Sequence, residues 1–114
     1  MRKVLTVFFA AVAAIWVDAV LAHATLERAS PPVGGTVTSS PAEVRLWFSG
    51  SLARGSSIEV SGPSGRVGGR ASVADRELSV GVPRLAPGNY QVRWRAISTD
   101  GHATEGSFGF AVKP

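Results

Sequence analysis

The sequence predicts an all-β protein, an immunoglobulin-like Greek-key β-sandwich of about seven strands. Three observations lead to that class. Apolar residues recur at every second position in one short run after another, the spacing that gathers them on one face of a strand. All thirteen glycines and seven prolines lie beyond residue 30, and they punctuate the chain with turn signals about every 8–12 residues. No sustained helical spacing appears after Ala22.

The first 22 residues stand apart. Met1-Arg2-Lys3 is a positive start, Val4 to Val17 is apolar except for Thr6, and Asp18 interrupts the run. Val20-Leu21-Ala22 then offers the residues expected at −3 and −1 of a cleavage site, the layout of a secretory signal peptide. The apolar run is shorter than the ~20 residues a spanning helix needs, which leaves an uncleaved membrane anchor as the lesser alternative. We therefore expect a leader over residues 1–22, cleaved after Ala22, and one domain over residues 23–114. A domain of that size buries roughly 60–70% of its unfolded surface, enough for one modest core.

The expected strands follow in order. Ala24 to Arg28 alternates and ends before Ser30-Pro31-Pro32, whereas Val33 to Val37 and Ser39-Ser40-Pro41 read as turns. Val44, Leu46 and Phe48 then share one face, out of phase with Trp47, which is expected at an edge, under a loop or on a surface. Ser57 to Ser61 alternates and stops at Gly62-Pro63. Arg66 to Asp75 is Gly-rich and reads as a loop with a poor edge strand. Leu78, Val80 and Val82 form the next set. After the turn Leu85 to Asn89 comes the clearest strand, with Tyr90, Val92, Trp94 and Ala96 on one face and Gln91, Arg93 and Arg95 on the other. Tyr90, directly after a turn, can hydrogen-bond upstream backbone as a tyrosine corner or serve as an ordinary core residue. Phe108, Phe110 and Val112 line the last strand.

Composition narrows the chemistry. There is no cysteine, and the single methionine, Met1, belongs to the expected leader, so neither thiolate nor thioether is available to a metal. The net charge is +4, or +3 once the leader's Arg2, Lys3 and Asp18 are set aside. The arginines are scattered rather than clustered, which argues against a nucleic-acid surface. No nucleophile–base pair or paired carboxylate stands out, so the chain is not expected to be a hydrolytic enzyme.

Only two histidines are present. Cleavage after Ala22 would make His23 the first residue, with a free amine and an imidazole on one residue. His102 follows Asp100-Gly101 in what reads as a loop between the last two strands. Together they offer three nitrogens and one oxygen, a set that suits tetragonal Cu(II), although zinc can use the same atoms in a tetrahedron. Whether the two ends meet depends on the first strand lying beside the one that feeds Asp100. Glu27 and Glu105 are candidate outer groups around such a site, or plain surface carboxylates.

These stretches resemble a known family, the periplasmic copper-resistance proteins called CopC. The resemblance rests on His23-Ala24-Thr25-Leu26, Ser30 to Gly35, Val44 to Ser49, and Leu85 to Arg95. It continues through Ser98, Asp100, Gly101, His102, Gly106 and Phe110. It implies a monomeric periplasmic sandwich that binds Cu(II) through the amine and imidazole of His23, completed by His102 and Asp100. The partners implied are the copper ion and an inner-membrane copper importer of the CopD type. Two departures matter: Gly50 stands where some members carry an acid after Phe-Ser, and the methionine-rich loop of others has no counterpart here.

Two other classes of function fit some of the same residues. A terminal histidine with a second histidine also forms the histidine brace of copper oxidases acting on polysaccharide, which are usually larger. An immunoglobulin-like module without metal predicts no copper affinity at all.

Overall fold

The structure is a computed structural model and describes residues 24–114. His23 and the expected leader, residues 1–22, lie outside the described residues. Nine strands are found among the described residues: β1 Leu26–Ser30, β2 Thr36–Val37, β3 Glu43–Phe48, β4 Ser57–Gly62, β5 Gly65–Val67, β6 Ser72–Ala74, β7 Glu77–Gly81, β8 Gly88–Ile97 and β9 Ala103–Val112. One sheet has the order β1-β3-β7-β6 and the other β2-β9-β8-β4-β5. This is the immunoglobulin Greek key that the alternating pattern predicts.

The strands form where one face can be buried. Val44, Leu46 and Phe48 of β3 and Leu78 and Val80 of β7 point inward from one sheet. Ile58, Val60, Tyr90, Val92, Trp94, Phe108, Phe110 and Val112 meet them from the other. Phe48 and Trp94 join the sheets edge to face, with ring centroids 5.2 Å apart. The Tyr90 hydroxyl donates to the Ala86 carbonyl at 2.6 Å, closing the tyrosine corner at the entry to β8. Its ring stacks on Phe110.

The differences from the expected strands lie at edges. Residues 36–37, expected within a turn, form β2, which runs parallel to the end of β9 and carries the first strand across to the second sheet. Residues 66–75, expected as loop with one poor strand, contribute to two edge strands, β5 on β4 and β6 on β7. Segments this short offer the core one half-buried valine each, Val37, Val67 and Val73, too few to make an alternating pattern. The first strand begins at Leu26 rather than Ala24 and carries a bulge: Leu26 pairs with Phe48 but Arg28 with Trp47. The extra residue, Glu27, turns Ala29 rather than Arg28 toward the core.

That bulge also explains Trp47. It sits on the outer face of a strand flanked on both sides, half-buried under Arg28, whose guanidinium lies 3.9 Å from the ring centroid. Its indole Nε1–H donates to Glu77 at 2.8 Å.

Candidate metal centre

β8 and β9 are joined by a hairpin whose three-residue loop is Thr99-Asp100-Gly101. The Ser98 amide donates to the His102 carbonyl at 2.8 Å, and the Gly101 amide to the Ser98 carbonyl at 2.9 Å. Gly101 closes the loop at φ +91°, a conformation that glycine adopts without steric cost. Asp100 and His102 are thereby presented on the same short loop.

The Asp100 carboxylate organises that loop. Its Oδ1 accepts from the Ser98 hydroxyl and from the His102 amide at 3.0 Å, and its Oδ2 lies 3.1 Å from His102 Nδ1. The Ser98 hydroxyl, the His102 amide and the His102 ring hold the Asp100 carboxyl well below the usual carboxylate range, in that order of effect. An acid so stabilised stays ionised at any physiological pH. In the tautomer that donates from Nδ1, His102 carries its lone pair on Nε2, the form in which imidazole binds a metal.

The loop between β3 and β4 braces it from the side. Leu52 bridges Ser98, the Ala53 amide donates to the Ile97 carbonyl at 2.7 Å, and the Thr99 amide donates to the Ser51 carbonyl at 3.2 Å. Ser56, 7% exposed, uses its hydroxyl to accept from the Ile97 amide at 3.0 Å and donate to the Ala53 carbonyl at 2.9 Å. Two of the polar residues buried among apolar neighbours, Ser56 and Ser98, thus both serve this end of the sandwich.

The described chain starts at the same end. Ala24 is buried at 1% exposure, and its carbonyl accepts from the Thr104 hydroxyl at 2.9 Å. Thr25 is tied to Ser49, at the end of β3, by reciprocal bonds of 2.9 Å from the Thr25 amide to the Ser49 hydroxyl and from the Ser49 amide to the Thr25 carbonyl. Residues 24 and 25 therefore span from one sheet to the other, and the residue that Ala24 meets, Thr104, is two positions from His102. Gly50 is close by: a Cβ there would lie 3.9 Å from Ala24 Cα.

Of the candidate residues, the fold brings Asp100 and His102 into contact, whereas His23 lies outside the described residues. Among the described residues no group of three histidine, cysteine, aspartate or glutamate side chains is placed to hold a metal. Glu105 pairs with Arg95 at 3.2 Å on the outer face, and Glu27 is exposed at the bulge, the surface reading of both. Sequence reasoning missed Ser51 and Thr104 as parts of this end and gave Ser98 no role beyond the resemblance, because a serine or threonine in a strand or loop carries no signal of its partner.

A family model described as the CopC domain matches residues 26–113. The chain is 33% identical over 102 residues to protein YobA of Escherichia coli strain K12, with 82% of each chain covered. Among solved structures it resembles CopC from Methylosinus trichosporium OB3b at 38% identity and a TM-score of 0.75, covering 81% of this chain and 95% of that one. It also resembles PcoC, a methionine-rich copper-resistance protein from Escherichia coli, at 26% identity and a TM-score of 0.73, covering 81% of this chain and all of the other.

Proposed function

Because the chain belongs to the CopC family of copper-resistance proteins, we propose that it is an exported, monomeric carrier that holds Cu(II) at its processed N-terminus. Signal cleavage after Ala22 frees the His23 amine. The amine and the His23 imidazole chelate the ion, and His102 and Asp100 complete the set. The carrier acts in the periplasm, sequestering copper or handing it to an inner-membrane importer of the CopD type, and it performs no catalysis.

One observation carries this reading: the bond between Thr104 and Ala24. Consecutive Cα atoms are 3.8 Å apart, so a residue at position 23 is joined by one peptide bond to backbone held two positions from His102. Donor chemistry supports Cu(II) over Cu(I). PcoC is methionine-rich, whereas this chain has one methionine, Met1, and no cysteine. Nitrogen and carboxylate donors in a tetragonal set suit the divalent ion, which also leads the affinity order of its row.

The test is a copper titration of two forms, one beginning at His23 and one with a single residue placed before it. The first is expected to bind tightly and give a tetragonal Cu(II) EPR spectrum. The second, with its amine acylated by the added residue, is expected to bind far more weakly. Equal binding by both sinks the proposed site.

A further inference from the structure

The turn between β6 and β7 lies in the sheet opposite the Asp100–His102 loop, yet it reaches that loop through one residue. Asp75, at φ +55°, occupies the first position of the two-residue turn Asp75-Arg76. Its carboxylate accepts from the Ser51 hydroxyl at 2.7 Å, and its carbonyl accepts from the Leu52 amide at 2.8 Å. The carbonyl of the same Ser51 accepts from the Thr99 amide, the residue beside Asp100. The side chain of Asp75 thus holds the hydroxyl of the residue on whose carbonyl the ligand-bearing loop rests.

The geometry points to Asp75 as a positioning residue for the copper site, acting through Ser51 on the Thr99-Asp100-Gly101 loop. This rests on the metal reading above and deepens it. The main-chain bond from Leu52 to the Asp75 carbonyl survives any side-chain change, so the loops stay joined. What the carboxylate adds is a defined orientation of Ser51, and through it a defined distance between Asp100, His102 and the chain start. A metal chelated from two ends of a chain is sensitive to that distance, because each ligand must meet the ion without moving its backbone.

The choice of variants separates this from a merely structural role. Asp75→Gly removes the carboxylate and suits the positive φ. Asp75→Asn keeps an acceptor for Ser51 and tolerates that φ as well. Ser51→Ala removes the same bond from its other side. Each is expressed as the full chain and recovered from the periplasmic fraction. Amide exchange at Thr99 is measured without metal, then Cu(II) affinity by chelator competition, then the Cu(II) EPR parameters.

We expect Asp75→Gly and Ser51→Ala each to speed exchange at Thr99, to weaken Cu(II) binding about tenfold and to alter the EPR parameters. Asp75→Asn should retain wild-type behaviour, and the double variant should be no weaker than either single one, since both break one path. Unchanged affinity and spectrum in Asp75→Gly overturn the proposal, as does an Asp75→Asn protein as weak as Asp75→Gly, or losses that add. A wild-type chain that takes up no copper is a separate outcome, read from that sample alone, and overturns the metal reading together with this one.

Discussion

The Thr104 hydroxyl donates to the carbonyl of Ala24 at 2.9 Å, across 80 positions of sequence and from one sheet to the start of the other. Ala24 is 1% exposed, so water does not readily replace this donor. Thr104→Val keeps the β-branched shape and removes only the hydroxyl. It should cost about 1–3 kcal/mol, the penalty of an unpartnered buried acceptor. Urea unfolding should show a lower midpoint at unchanged slope, and an unaltered midpoint would count against this bond as the anchor of the chain start.

Tyr90 provides a control at the far end of β8. Tyr90→Phe loses the 2.6 Å bond to Ala86 but keeps the ring stacked on Phe110. A loss of about 1 kcal/mol is expected, with a fall of about 4–8 °C in Tm for a domain of this size. Copper affinity should not change, because the loop bearing Asp100 and His102 leaves the opposite end of the strand. A variant that unfolds earlier and also binds copper more weakly would contradict that separation.

Gly106 leaves room for Trp94. A Cβ at position 106 would stand 2.5 Å from the indole ring, closer than any real contact. Gly106→Ala must therefore displace Trp94 from its edge-to-face packing on Phe48, at about 1–3 kcal/mol for overpacking. In a Trp47→Phe background freed of the leader, Trp94 is the remaining emitter, and its fluorescence maximum should move to the red. No shift would mean that the ring finds another pocket without cost.

The Asp100 carboxyl titrates below its ordinary value of 3.8 because the folded loop stabilises its charge. A depressed folded-state value contributes stability that is present above the unfolded-state value and is lost as pH falls toward the folded one. The metal-free Asp100→Asn protein should therefore be less stable than wild type at pH 7. The gap should narrow progressively once the pH drops below about 4. A thermal-unfolding difference that stays constant from pH 7 to pH 2 would falsify this role for the charge.

The strand faces were legible where burial is one-sided. Val44-Leu46-Phe48, Tyr90-Val92-Trp94-Ala96 and Phe108-Phe110-Val112 each alternate because every second residue meets the core. Strand β2 was not legible, and only one poor edge strand was expected where β5 and β6 lie, since two or three residues at a sheet edge have little apolar surface to bury. Trp47 was half legible: its phase put it off the core face, but its cover depends on the bulge at Glu27. A regular register would have set Glu27, not Arg28, opposite the indole.

For the candidate site the division is similar. The lack of cysteine, the single methionine at position 1, the two histidines and the Asp100-Gly101-His102 segment are properties of the residues themselves, and the sequence alone determined them. Which segments lie beside that loop was decided by the tertiary structure. A period of two states which face of a strand is buried but not which strand is its neighbour. The contacts Ala24–Thr104, Ser51–Thr99 and Ser51–Asp75 join segments 24 to 80 positions apart. They exist because the Greek-key order stacks the start of β1, two loops and a turn at one end of the sandwich, where no local pattern of residues could have announced them.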